Sequence, residues 1–159
     1  MTPRRWATRA AAVAIVAAVA HGPFDIALFN TTRAPSASGR ARLVFAQSPF
    51  GVAVTADGHA SYDVQIDASG LPPADSLGPY TAYVAWVTST DLSKWIRLGV
   101  VANGKTTVGK AELDKFLLVI AAESSATSAH AGPTVLHGNS PSGWLQSFLS
   151  HPLFRGIPP

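Results

Sequence analysis

Five histidines, nine Asp and Glu residues and no cysteine make up most of the chain's capacity for chemistry. Absent thiols exclude a disulfide scaffold, a thiolate metal site, a cysteine nucleophile and a lipoprotein anchor. Histidine nitrogens suit copper(II) in an oxidising compartment. His21 would become the first residue of the protein if the chain were cleaved after Ala20. An N-terminal histidine offers its amine and its imidazole together, and a second histidine completes a brace. His130 and His137 are the second ligands to weigh, because they flank Gly132-Pro133 and the short apolar stretch Thr134-Val135-Leu136. The metal set of this reading is therefore His21, His130 and His137, with copper as the ion. The simpler reading leaves these histidines solvated or structural and gives the protein no cofactor.

Two motifs imitate catalytic loops. Gly99-Val100-Val101-Ala102-Asn103-Gly104-Lys105-Thr106 matches the phosphate-binding pattern letter for letter. That pattern works only where a strand runs into a helix whose amides hold the phosphate. Thr106-Thr107-Val108-Gly109 is a poor helix start, and Asn103-Gly104 is a preferred hairpin turn. A hairpin is expected, and no nucleotide. Gly138-Asn139-Ser140-Pro141-Ser142-Gly143 misses the nucleophile elbow by one position, since residue 142 is serine. The carboxylates show no paired acid and base. Asp63 and Asp67 flank Gln65 at period two, which suggests a solvated strand face. A non-enzymatic protein is the expectation.

These residues need elements to position them. Of the 159 residues, 47% are hydrophobic and 13% charged, which argues for one domain with a real core and against disorder. Arg4, Arg5 and Arg9 precede an unbroken apolar run from Ala10 to Ala20 that ends Ala18-Val19-Ala20. Those are the parts of a secretory signal peptide, over residues 1–20, and the run is shorter than the about 20 residues of a membrane span. Contact with a membrane is expected only if that segment stays uncleaved. Its removal takes three of the twelve Lys and Arg and none of the nine Asp and Glu, leaving nine of each. The basic balance disappears with the leader, and with it any case for nucleic acid. A periplasmic or secreted location follows.

Thirteen glycines and twelve prolines punctuate the rest into short segments. Residues 21–40 read as an N-terminal segment and linker. Strand patterns then recur at Ala41–Ala46, Val52–Thr55, Tyr62–Asp67, Tyr80–Thr88, Trp95–Val101, Thr106–Val108, Phe116–Ile120 and Thr134–Leu136. Phe116–Ile120 is continuously apolar and is expected to be buried on both faces. The fold expected for residues 41–138 is all-β, an antiparallel immunoglobulin-like sandwich of seven or eight strands. Residues 139–159 read as a short C-terminal helix and tail: Ser140-Pro141 form a cap, and Trp144, Leu145, Phe148 and Leu149 share one face.

Four stretches in order carry a family resemblance: Gly70-Leu71-Pro72-Pro73; Tyr80 through Tyr83 to Trp86; Leu98-Gly99-Val100; and Ala122-Glu123 followed by Gly132-Pro133-Thr134-Val135-Leu136. Over Gly39 to Gly138 the chain resembles the extracytoplasmic C-terminal domain of anti-sigma-K factors, a β-sandwich module. The resemblance implies that fold and an interaction role. It does not imply sigma-factor binding, because the cytoplasmic helical domain and membrane helix of regulatory members have no counterpart in this sequence. Ser124-Ser125-Ala126-Thr127 also departs from the proline and glycines usual after the glutamate. The leading reading is an exported, non-enzymatic module that binds an unknown protein partner outside the cytoplasm, with a free edge strand as one route to pairing. Its competitor is a periplasmic copper-binding protein.

Overall fold

The computed structural model describes residues 22–48, 51–52, 55, 59 and 61–141. The expected leader, His21, His151 and the helix-like stretch from residue 142 onward lie outside the described residues. Ten strands follow in order: β1 Asp25–Asn30, β2 Ser38–Phe45, β3 Gln47–Ser48, β4 Gly51–Val52, β5 Tyr62–Ser69, β6 Ala82–Ser89, β7 Trp95–Val101, β8 Gly104–Ala111, β9 Phe116–Glu123 and β10 Thr134–Asn139. The only helix among the described residues is a single 3₁₀ turn at Ala74–Leu77. Eight strands form one antiparallel sheet in the order β7-β6-β9-β10-β1-β2-β5-β8, and β3 and β4 pair by themselves.

The sheet curls until it is nearly a closed barrel. Its two edges, β7 and β8, are joined by the two-residue turn at Ala102-Asn103 and lie against one another. A Cβ added to Gly109 would sit 2.8 Å from the Leu98 carbonyl oxygen, so the backbones approach too closely for side chains there. The two edges approach closely here while remaining the end strands of the sheet order. The phosphate-loop match falls on this hairpin, with Gly99–Val101 in β7 and Gly104–Thr106 in β8. Strand runs into strand, as its turn chemistry predicts.

Alternation builds the inside. Tyr62, Val64, Ile66 and Ala68 of β5 are buried while Asp63, Gln65, Asp67 and Ser69 face outward. Ile26, Leu28, Ala41 and Leu43 do the same for β1 and β2, meeting Leu118, Ile120 and Leu136 across the barrel. Burying each such aliphatic side chain contributes roughly 1.5–3 kcal/mol. β9 is buried on both faces: Leu118 and Ile120 point in, while Val119 and Ala121 join Val84 and Trp86 in a second apolar cluster outside the barrel wall.

Two segments begin earlier than the sequence suggests. β1 lies inside the stretch read as linker, and its residues alternate Asp25, Ala27 outward against Ile26, Leu28 inward. β2 starts at Ser38, three residues before the expected Ala41. Gly70 closes the β5 corner at φ 68°, and a Cβ there would lie 2.2 Å from the Ser36 carbonyl oxygen. The Asn103 side chain bonds both the amide and the carbonyl of Leu71, and the Tyr83 hydroxyl donates to the Pro72 carbonyl. The Gly-Leu-Pro-Pro corner is thus pinned from the β7–β8 turn and from β6.

Candidate functional site

His130 is the one expected metal-site residue around which the described structure builds a site. β9 ends at Glu123, which is 3% exposed and whose side chain turns into the loop of residues 124–133. Its Oε1 accepts the amides of Ala131 at 3.0 Å and Gly132 at 2.9 Å, and faces His130 Nδ1 at 3.0 Å. Glu123 thus engages the Nδ1 edge of the ring, and the Nε2 edge takes no part in this contact. Gly132 is required at this approach, since a Cβ there would stand 1.8 Å from the Ala122 carbonyl oxygen. Across the loop, the Arg97 guanidinium donates to the Ser125 carbonyl at 2.8 Å.

The loop lays His130 over the outer apolar cluster. Its ring stacks on Trp95 at 4.3 Å between centroids and sits 5.9 Å from Trp86. Trp86 is 1% exposed, and its indole Nε1 is the one buried side-chain polar atom without a partner among the described residues. The histidine is therefore held by a carboxylate on one side and an aromatic face on the other. A carboxylate that accepts from one ring nitrogen is the usual orienting partner of a metal-ligating histidine.

His137 lies elsewhere on the same outer surface. It projects from β10 opposite Val119 and Phe29, with its ring 6.4 Å from the Phe29 ring. Val119 stands between it and Trp86 in register. The expected pair shares a face but not a set of partners, and among the described residues no three His, Asp or Glu side chains gather round a common point. A second carboxylate–histidine contact joins His59 Nδ1 and Asp114 Oδ2 at 2.9 Å on the surface. Ser140, the near-match nucleophile and expected cap, instead accepts the Phe116 amide through its hydroxyl at 3.0 Å, and its own amide donates to the Phe116 carbonyl. It extends the β9–β10 pairing.

The hairpin between β6 and β7 went unremarked in sequence and carries the one left-handed non-glycine backbone among the described residues. Leu92 has φ 60°, alone among the described non-glycine residues, and is 53% exposed. A dense network holds it there. The Asp91 carboxylate accepts the hydroxyls of Ser89 at 2.5 Å and Ser93 at 2.9 Å, and the Ser93 amide at 3.2 Å. Those bonds pull the Asp91 carboxyl down to about 2 from 3.8, the Ser89 hydroxyl contributing most. The Leu92 amide donates to the Ser89 carbonyl, and the Leu92 carbonyl accepts the Trp95 indole N–H at 3.0 Å.

A third surface covers the outside of β1, β2, β5 and β8. Arg42 grips Asp25 through Nε at 2.8 Å and Nη2 at 3.3 Å, and the Gly22 amide adds a bond at 3.0 Å. The guanidinium, more than any other group, holds the Asp25 carboxyl below the usual carboxylate range. Arg40 meets Asp67 more loosely, at 3.6 Å. Asp63 and Asp67 share this wet face with Gln65, as their spacing suggests. No family model, no curated protein and no solved structure matches the chain.

Proposed function

We propose that the chain is an exported, non-enzymatic binding module of the immunoglobulin-like sandwich type found in the extracytoplasmic domains of anti-sigma-K factors. Support for the sandwich comes from β1, which pairs with β2 over Asp25–Leu28 and with β10 over Phe29–Asn30, dividing the sheet into two faces hinged on one strand. The observation that carries the interaction role is Leu92. A left-handed backbone costs a branched residue roughly 1–2 kcal/mol, and a leucine that is 53% exposed recovers only part of that by burial. The backbone cost is offset when the side chain enters a partner's apolar pocket, and the Asp91 network presents it already ordered, which removes part of the entropic cost of binding. The ionised Asp91 beside it argues for a protein pocket over a lipid surface.

A photoreactive residue at position 92, used in membrane and periplasmic extracts, should cross-link one species saturably. Excess unlabelled protein should compete, and a Leu92→Asn form should not. Competition by both forms would remove Leu92 from the interface and end this reading.

A second reading, copper binding for transfer or storage, is favoured by the Glu123–His130 contact, which leaves Nε2 free for a metal. Copper(II) titration of the mature protein tests it. His130→Ala should weaken binding, and one extra residue before His21 should weaken it further; equal affinity in all three forms would dismiss the brace.

A further inference from the structure

The outward residues of β1, β2, β5 and β8 form a grid fixed by the strand register. One row runs Asp25, Arg42, Gln65, Thr107, and the next runs Ala27, Arg40, Asp67, Lys105. A groove of about 270 Å³ lies over these two rows. It holds three cations and two carboxylates, so it carries one net positive charge. The carboxylates are not equally engaged. Asp25 is saturated by Arg42 and the Gly22 amide, whereas Asp67 has only the 3.6 Å contact with Arg40. Lys105 stands opposite Asp67 in the ladder yet forms no ion pair among the described residues. Gln65 and Thr107 lie between the charges, and neither side chain has a hydrogen-bond partner among the described residues.

Alternating charges on a strand face ordinarily serve as cross-strand pairs in contact with water. Three features go beyond that arrangement: the concavity, the surplus cation and the unengaged polar floor. We propose that this groove binds a small polyhydroxy monoanion, a sugar bearing one carboxylate, with the carboxylate on Lys105, the cation that has no ion pair among the described residues, and the hydroxyl groups over Gln65 and Thr107. A monoanion balances the surplus charge. A phosphate dianion would place its second charge against Asp67, where like charges at close range repel. The groove lies on strands remote in sequence from the Leu92 hairpin, so the two sites stand or fall separately.

The test is a titration of the full chain, followed by amide NMR shifts, with sodium glucuronate as probe and glucose and inorganic phosphate as controls. Glucuronate should saturate shifts along β2, β5 and β8. Lys105→Gln breaks no ion pair, leaves thermal unfolding unchanged and should weaken binding about tenfold, the effect of one lost charge-assisted bond. Asp67→Asn should tighten binding, because it removes a competing negative charge; a purely structural face would show no such gain. Raising the salt should weaken binding. No saturation, equal shifts with glucose, tighter binding of phosphate, or an unchanged affinity in Lys105→Gln would each overturn the proposal.

Discussion

Two carboxylates show how environment divides the work of one residue type. Glu123 is buried and gathers three donors, so it behaves as a nail through the loop of residues 124–133. Replacing it by alanine leaves the amides of Ala131 and Gly132 unpaired in a partly buried site, at about 1–3 kcal/mol for each orphaned group. Glu123→Ala should therefore lower the urea midpoint and shift Trp95 fluorescence, while Glu123→Gln, which keeps an acceptor oxygen, should recover most of the loss. If the glutamine form unfolds as readily as the alanine form, the amide contacts are not what the carboxylate supplies. Asp91 sits in water and still holds its proton off down to about 2. Since folding depresses its value from 3.8, its contribution is present above that pH and disappears as pH falls through about 2. Trp95 emission, tied to the network through the Leu92 carbonyl, should change over that acid window. Asp91→Asn should remove the change, and a titration that survives in the asparagine form would assign it to another group.

Hairpins and corners carry strain that residue type alone does not announce. Nothing in Thr90-Asp91-Leu92-Ser93 marks the third residue as left-handed, because leucine seldom adopts that backbone. Asparagine does so readily, hence Leu92→Asn should raise stability by about 1 kcal/mol and thermal unfolding by a few degrees. A lower melting temperature would mean that Leu92 packs usefully and is not held under strain. At the β5 corner the sign is opposite: Gly70→Ala meets the Ser36 carbonyl at 2.2 Å and a φ of 68°, so destabilisation of about 2 kcal/mol or more should appear as a lower denaturant midpoint. Period-two alternation made β5 legible in sequence, and the continuous apolar run did the same for β9, because those patterns report burial directly. β1 was not legible. Its alternation is short and follows a leader-like segment, although the same period runs through Arg40 and Arg42 against Ala41 and Leu43. The Glu123–His130 contact was equally hidden, since it joins a strand end to a loop seven residues on, a spacing set by tertiary packing.

At the scale of the molecule, closure and charge act together. The end strands β7 and β8 lie against one another, and the remaining surface sets much of the solubility. That surface is close to electrically neutral if the leader is lost, for nine acidic and nine basic residues then remain, whereas the whole chain has a pI near 9.6. Proteins near zero net charge repel one another weakly and are least soluble there. Export and processing after Ala20 should accordingly be visible in one electrophoretic measurement. The exported protein should focus far below 9.6, nearer neutral pH, and precipitate most easily in that range. Intact mass should show the loss of residues 1–20 in the same sample. Exported protein that still focuses near 9.6 and keeps Met1 would mean that the arginines and apolar run persist, and the neutral-surface account, together with any role for His21 as a first residue, would be lost with it.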